Sequence, residues 1–157
     1  MKIASIAHIK KELKELSPDE LITICLRLAK SKKETKELLN YLLFEACDEE
    51  GYVKAAKQDI VEGFETINTS SFYLAKKTIR KVLRITNKHI KFSPNKETEV
   101  QLLVFFCQQF NKLQLRLSES QVMINLYNGV LKKIDKAIST LHEDLQFDYE
   151  EIVSDLR

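Results

Sequence analysis

Apolar residues recur along most of this chain at intervals of three and four residues, which is the period of an amphipathic α-helix. Long stretches run without glycine or proline. The 157 residues include only three glycines and two prolines. A β-rich protein of this length would need many tight turns, and glycine and proline are among the residues that dominate turns. The pattern therefore predicts an all-α protein of about seven helices joined by short loops.

The first three predicted helices lie before residue 47. The first covers Ile3 to Leu16. The second begins at Ser17-Pro18-Asp19-Glu20, where a serine cap, a proline in the first turn and a glutamate three positions after the cap form a strong helix start. The third runs from Lys33 to Ala46. We expect the apolar side of the second and third helices to face a core: Leu21, Ile24, Cys25, Leu28, Leu38, Leu39, Leu42 and Leu43.

The fourth predicted helix begins with three acidic residues, Asp48 to Glu50, because carboxylates are favourable near a helix N-terminus and unfavourable near its C-terminus. The fifth extends from Ser71 to Lys91 and stops at Phe92-Ser93-Pro94, since the residue before a proline disfavours the α conformation. One narrow stripe of the fourth helix is apolar: Val53, Ala56, Ile60, Phe64 and Ile67.

The last third of the chain predicts two long helices and a tail. The sixth helix runs from Asn95 to Leu117 and is apolar nearly all round, so we expect it to be the central and most buried helix. A second capping box, Ser118-Glu119-Ser120-Gln121, opens a seventh helix that continues to Leu145. Residues 146–157 form an acidic tail that we expect to dock through Phe147, Tyr149, Ile152 and Leu156 onto the chain's own apolar groove, the alternative being a groove of a partner.

Short loops between long helices imply antiparallel neighbours. Two architectures fit this expectation: helical hairpins packed as a bundle, or a short HEAT-like α-solenoid. No repeat of about 40 residues accompanies the helix count, so the solenoid rests on helix number and length alone. The length favours a single domain over residues 1–157.

Expectations about the compartment come from the absence of export and membrane signals. No stretch of about 18 uninterrupted apolar residues occurs, and the N-terminus lacks the apolar region of a signal peptide. The three cysteines, Cys25, Cys47 and Cys107, stand isolated within apolar runs, so we expect reduced thiols packed in the core. These features predict a cytoplasmic protein that does not associate with a membrane.

Charge is segregated along the chain although the net charge is only +2. The block from Thr66 to Lys96 contains eight basic residues and no acidic one. At about 100° per residue, one face of the fifth helix collects most of them. This predicted basic face consists of Tyr73, Lys77, Arg80, Lys81, Arg84, Lys88 and Lys91. Such a face can bind the phosphates of a nucleic acid or an acidic protein. The alternative is a solvated surface, partly neutralised by the acidic residues of the fourth helix.

Signatures of catalysis and of metal binding do not occur in the sequence. His8, His89 and His142 are far apart, and there is no Cys-x-x-Cys, no Gly-x-Ser-x-Gly and no glycine-rich phosphate loop. We interpret His142-Glu143-Asp144 as a surface helix end and His89 as a packed or capping histidine. The sequence therefore predicts no catalytic residue, no metal site and no cofactor.

Three stretches of the chain resemble those of an uncharacterised family of small all-helical bacterial proteins: residues 39–46 (LNYLLFEA), 68–73 (NTSSFY) and 141–145 (LHEDL). The resemblance extends along most of the chain. It implies a bacterial cytosolic origin and carries no activity that can be transferred.

Two functional hypotheses follow from these patterns. The leading one is a non-enzymatic helical scaffold that presents charged faces to another protein. An acidic protein would suit the basic face best. The alternative is a nucleic-acid-binding protein that uses the basic helix around residues 72–91 to contact phosphates.

Overall fold

The computed structural model describes residues 2–113 and 119–157, which contain α-helices and short connections but no β-strand. Eight α-helices and one π-helical turn follow one another in these described residues: α1 (Ile6–Lys14), α2 (Pro18–Ser31), α3 (Lys33–Asn40), the π-helical turn (Tyr41–Glu45), α4 (Glu49–Glu65), α5 (Phe72–Phe92), α6 (Lys96–Asn111), α7 (Gln121–Ile138) and α8 (Glu143–Ser154). The prediction of an all-α fold is confirmed, with one helix more than expected.

Side-chain caps start several helices where the sequence predicts them. Ser17 Oγ accepts a hydrogen bond from the Glu20 backbone N–H, and the Glu20 carboxylate accepts one from the Ser17 backbone N–H at 2.8 Å. Asp48 starts α4 by accepting from the Gly51 backbone N–H at 3.0 Å, and Ser71 starts α5 in the same way. Because the first N–H groups of a helix have no partner within the helix, these caps fix where each helix begins.

The chain forms two compact units, one ending at Glu45 and the other beginning at Ala46. In the N-terminal unit α2 packs on α3, and Tyr41 is the one buried residue among residues 2–45. The C-terminal unit contains nearly all of the buried apolar side chains of the described residues. The prediction of a single domain over residues 1–157 stays a prediction.

The expected core of the second and third helices is wrong for most of its members. Five of the eight residues predicted to face a core are exposed, namely Ile24, Cys25, Leu28, Leu42 and Leu43. The other three, Leu21, Leu38 and Leu39, are half-buried. The physical reason is size, because a unit of about 45 residues with three short helices has too little chain to enclose a core.

The core of the C-terminal unit is a helical bundle. Helices α4, α5 and α6 pack against one another, α7 packs on α6, and α8 packs on α7. The apolar stripe predicted for α4 is buried along its whole length. Helix α6 is the most buried of the described helices, as the sequence predicts, and it contributes Thr98, Val100, Leu102, Leu103, Val104, Phe106, Cys107 and Phe110 to the interior.

The predicted seventh helix is two helices in the structure. Instead of continuing to Leu145, α7 ends at Ile138, and His142 then caps α8 by accepting from the Asp144 backbone N–H. The Ser139 and Thr140 hydroxyls donate to carbonyls three residues earlier, at 2.7 Å each, which satisfies the last carbonyl groups of α7. Helix α6 ends at Asn111, before the predicted end at Leu117, which lies outside the described residues. Ser118 of the predicted capping box also lies outside them, and α7 begins at Gln121, after Ser120, whose side chain makes no capping hydrogen bond.

Helix α8 and the residues after it present two different sides. Val153 and Leu156 are buried in the core, and the Tyr149 hydroxyl donates to Glu97 Oε1 at 3.0 Å. The predicted docking is wrong for Phe147, which is 73% exposed, and for Ile152, which is 39% exposed. None of the described helices is both long and apolar enough to span a membrane.

Two helical glycines allow a matched test of the packing between α4 and α5. A Cβ added to Gly63 would lie 2.7 Å from Val82 Cγ2, whereas one added to Gly129 has no heavy atom within 4 Å. Alanine is the better helix former by about 0.5–1 kcal/mol, but it must displace the buried Val82 at position 63. We expect Gly129→Ala to raise the free energy of unfolding. Gly63→Ala should lower it by about 1 kcal/mol, because the destabilisation from overpacking against Val82 is larger than the gain in helix propensity.

Urea unfolding of the two glycine variants, followed by circular dichroism, measures both changes on the same scale. Gly63→Ala being as stable as Gly129→Ala would contradict the close approach of α4 and α5.

Candidate functional site

Helix α5 is held against the core by one side and exposes the other. Ala75, Ile79, Val82 and Thr86 are buried at helical spacing and fix the orientation of the helix. The Thr86 hydroxyl donates to the Val82 carbonyl at 3.0 Å, so this buried polar group needs no other partner. The opposite side of α5 is therefore directed away from the core.

The structure places the predicted basic face on this outward side of α5. Tyr73 is 74% exposed. Five of the six predicted cations are exposed, namely Lys77, Arg80, Lys81, Arg84 and Lys91, whereas Lys88 is half-buried. From Lys77 to Lys91 the face is about 21 Å long, because each helical residue rises about 1.5 Å.

The acidic residues of α4 do not neutralise the centre of this face. Asp59 lies against His89, with Oδ2 2.9 Å from Nε2, and Glu62 accepts a hydrogen bond from the side chain of Gln58. Among the described residues, no carboxylate lies at ion-pair distance from the four cations of the centre: Lys77, Arg80, Lys81 and Arg84. Lys88 and Lys91 make further contacts. We call these four cations the open cations of α5.

His89 has a structural position between α4 and α5, in agreement with its interpretation as a packed histidine. The Tyr52 hydroxyl donates to the His89 carbonyl at 3.0 Å and lies 3.1 Å from Nδ1, while Nε2 contacts Asp59. The Tyr52 and His89 rings meet edge to face, with their centroids 5.7 Å apart. Both ring nitrogens are therefore occupied by contacts that join the two helices.

A second polar cluster joins the start of α4 to the end of α5 and the first turn of α6. Thr98 Oγ1 donates to Glu49 Oε1 at 2.5 Å, and Ser93 Oγ donates to the same oxygen. Thr98 and Ser93 are buried. No sequence pattern indicates this cluster, because Ser93 and Thr98 lie 44 and 49 residues from Glu49 in the chain. The one signal was an acidic residue in the first turn of a predicted helix.

Two open grooves mark the surface of the C-terminal unit. The larger, about 620 Å³, is lined by Glu49 and Glu50 together with residues of both charges, Lys54, Lys57 and Glu97 among them. The smaller, about 380 Å³, contains an ion pair between Arg157 Nη2 and Asp135 Oδ1 at 2.6 Å. The larger groove also includes Thr98, whose hydroxyl donates to the Glu49 carboxylate.

The cysteines divide into two exposed residues and one buried residue. Core packing was predicted for all three, and it is correct for Cys107 but wrong for Cys25 and Cys47. Burial raises the pKa of the Cys107 thiol to about 12, and a hydrogen bond with Tyr127 opposes that change. A thiol with such a pKa is a poor nucleophile. Among the described residues, no three histidine, cysteine or carboxylate side chains cluster as a metal site would require.

The N-terminal unit exposes an unusual number of large apolar side chains. They are Ile3, Ile6, Ile9, Leu13, Ile22, Ile24, Leu26, Leu28, Leu42, Leu43 and Phe44, with exposures from 37% to 82%. We call them the exposed apolar residues of the N-terminal unit. Their exposure is not predictable from the sequence, because helical spacing of apolar residues is the same whether or not a core covers them. Exposed apolar groups on this scale are typical of surfaces that bind other proteins.

No family model, no curated protein and no solved structure matches the chain.

The attachment of α8 to α6 gives a pH-dependent prediction. Burial, and then the hydrogen bond to Glu97 and its charge, raise the pKa of Tyr149 from 10.0 to about 12. Because the protonated phenol is favoured in the folded state, its stabilising contribution is complete below pH 10 and is lost as the pH rises toward 12. We expect the melting temperature to fall over this interval, and to fall less steeply in Tyr149→Phe. Equal slopes in the two proteins, measured by circular dichroism, would contradict this role of the phenol.

Proposed function

We propose that this chain is a non-enzymatic interaction module that binds an acidic surface of another protein through the basic face of α5. The observation that carries the proposal is the open cations of α5, which are exposed and lack carboxylate partners among the described residues. They share one helix face that is held rigidly by the buried side of the same helix.

The arrangement of these cations costs stability in the free protein. Lys77 has Arg80 and Lys81 as neighbours at three and four residues, and Arg84 has the same two neighbours at four and three. Like charges at such spacing destabilise a helix by roughly 0.2–0.5 kcal/mol per pair. An anionic partner removes this repulsion, because each cation then faces an opposite charge. Binding of an anionic partner therefore stabilises this face of α5.

A protein is the favoured partner because of the exposed apolar residues of the N-terminal unit and the 74% exposed ring of Tyr73. Aromatic and arginine side chains are enriched at protein interfaces. The buried Cys107 thiol, whose pKa is raised, is a poor nucleophile, which supports a role without thiol catalysis.

Nucleic-acid binding is the second candidate. It is favoured by the length of the basic face, because about 21 Å of helix matches roughly six phosphates of one strand at 3.4 Å each. The sequence contains no recognised base-reading motif, so such binding would involve the phosphate backbone and would not select a sequence.

Fluorescence anisotropy with three labelled probes separates the two candidates. The probes are a polyglutamate peptide, a single-stranded RNA and a duplex DNA, each titrated with the full chain at about 50 and 200 mM salt. The proposal predicts binding of the peptide that weakens with salt. Tighter binding of RNA or DNA than of the peptide would replace it with the second candidate, and no binding of any probe at low salt would reject both.

Two charge-reversed variants show whether binding uses α5. The basic-face variant carries Lys77→Glu, Arg80→Glu and Arg84→Glu. The α7 variant carries Lys132→Glu, Lys133→Glu and Lys136→Glu, which changes the net charge equally at exposed positions of another helix. We expect the basic-face variant to bind the peptide at least about tenfold more weakly, and the α7 variant to bind as the parent does. Equal losses would show that net charge alone attracts the probe, and would contradict the proposal.

A further inference from the structure

Helix α8 carries an acidic stripe on its exposed side. Asp148, Glu151 and Asp155 are exposed, and no cation of the described residues lies at ion-pair distance from them. Asp144 continues the stripe one turn earlier, where His142 Nδ1 lies 3.5 Å from its carboxylate. Residues separated by three and four positions share one helix face. We call these four residues the acidic stripe of α8.

The acidic stripe has the same spacing as the basic face of α5. Lys77, Lys81 and Arg84 follow one another at intervals of four and three residues, and the acidic residues from Asp155 back to Asp148 do the same. The basic set extends about 10 Å along α5, since seven residues rise by that distance. The acidic set begins on α8 and ends at Asp155, the residue directly after the helix, whose backbone keeps the αR conformation. Two such helices packed antiparallel to each other place each of these cations opposite a carboxylate.

Within one chain these two surfaces belong to different helix pairs. Helix α5 packs on α4 and α6, whereas α8 packs on α7. Both the open cations of α5 and the unpaired carboxylates of α8 remain exposed. The acidic stripe of α8 and the basic face of α5 therefore do not pair with each other within one chain.

Net charge does not oppose association between copies. The residues from Ala46 onward include sixteen basic and sixteen acidic residues, and the whole chain has a net charge of +2. A large net charge keeps proteins apart by repulsion. Here the charge is balanced in number and separated in space, which favours contact between unlike faces of two molecules.

We propose that a second copy of this chain docks its acidic stripe of α8 on the basic face of α5. The inference rests on the proposed function of that face and names its partner. Two reciprocal contacts of this kind close a two-fold dimer, whereas a single contact leaves one free face on each molecule and allows longer assemblies. An exposed aromatic ring accompanies each surface, Tyr73 on α5 and Phe147 on α8.

Sedimentation velocity of the full chain, over a wide range of protein concentration at about 50 and 200 mM salt, tests the inference. We expect association at low salt that weakens at higher salt. Two charge-swapped variants, Lys81→Glu with Arg84→Glu and Asp148→Lys with Glu151→Lys, should each be monomeric, because two of the three facing pairs then bring like charges together. Mixing them in equal amounts should restore association, since both contacts are again between opposite charges.

The mixing step also shows that the variants are folded, because misfolded chains would not regain association by pairing. A control variant, Lys132→Glu with Lys133→Glu on α7, should associate as the parent does. A parent chain that stays monomeric at low salt, or variants that associate as strongly as the parent, would overturn the inference. Binding of the polyglutamate peptide by a monomeric parent would then leave the proposed function standing with a different partner.

Discussion

Replacing Phe106 with alanine should lower the free energy of unfolding by about 3–5 kcal/mol. Phe106 is fully buried in α6, and its ring centroid lies 5.4 Å from that of Phe64 and 6.3 Å from that of Phe110. Truncation removes these contacts and leaves a cavity at the centre of the C-terminal unit, where the surrounding helices relax only partly. Urea unfolding followed by circular dichroism measures the change.

Phe147→Ala is the matched control for that experiment. Its ring is 73% exposed on α8, so the same truncation should change the free energy of unfolding by no more than about 0.5 kcal/mol. Comparable losses in the two variants would show that α6 is not the centre of the bundle.

Glu49→Ala should lower the free energy of unfolding by about 1–3 kcal/mol. The Glu49 carboxylate accepts hydrogen bonds from the hydroxyls of Ser93 and Thr98, and Thr98 is only 1% exposed. Removing the carboxylate leaves the buried Thr98 hydroxyl without this partner. The same unfolding measurement applies.

Glu50→Ala provides the control for this second prediction. Glu50 is the next residue of the same first turn, so both variants lose one favourable charge near the helix N-terminus. Because Glu50 is exposed, its loss should cost less than about 1 kcal/mol. A Glu50→Ala variant that is as unstable as Glu49→Ala would show that helix charge, and not the buried cluster, accounts for the effect.

The sequence predicts the C-terminal unit well because its information is local and periodic. The stripe from Val53 to Ile67 is buried as expected, and the cap at Ser71 and the stop at Pro94 bound α5 as expected. Caps and stops depend on residues a few positions apart, so they can be identified without knowledge of the fold. The basic face of α5 was predictable for the same reason, since it follows from helical spacing alone.

Other features could not be predicted because they depend on distant residues or on the size of a unit. The apolar side of a helix is visible in the sequence, but whether another element covers that side is not. Leu42 and Leu43, for example, lie on a predicted apolar side and are exposed. The contacts of Tyr52 with His89 and of Glu49 with Thr98 join residues 37 and 49 positions apart. No pattern along the chain indicates such pairs.

Amide NMR spectra of the full chain during a titration with the polyglutamate peptide test the central claim most directly, because they locate the binding surface residue by residue. We expect the largest changes on the exposed side of α5, from Tyr73 to Arg84, and we expect them to disappear in the basic-face variant. Largest changes among the exposed apolar residues of the N-terminal unit, or around Lys132 to Lys136 on α7, would contradict it.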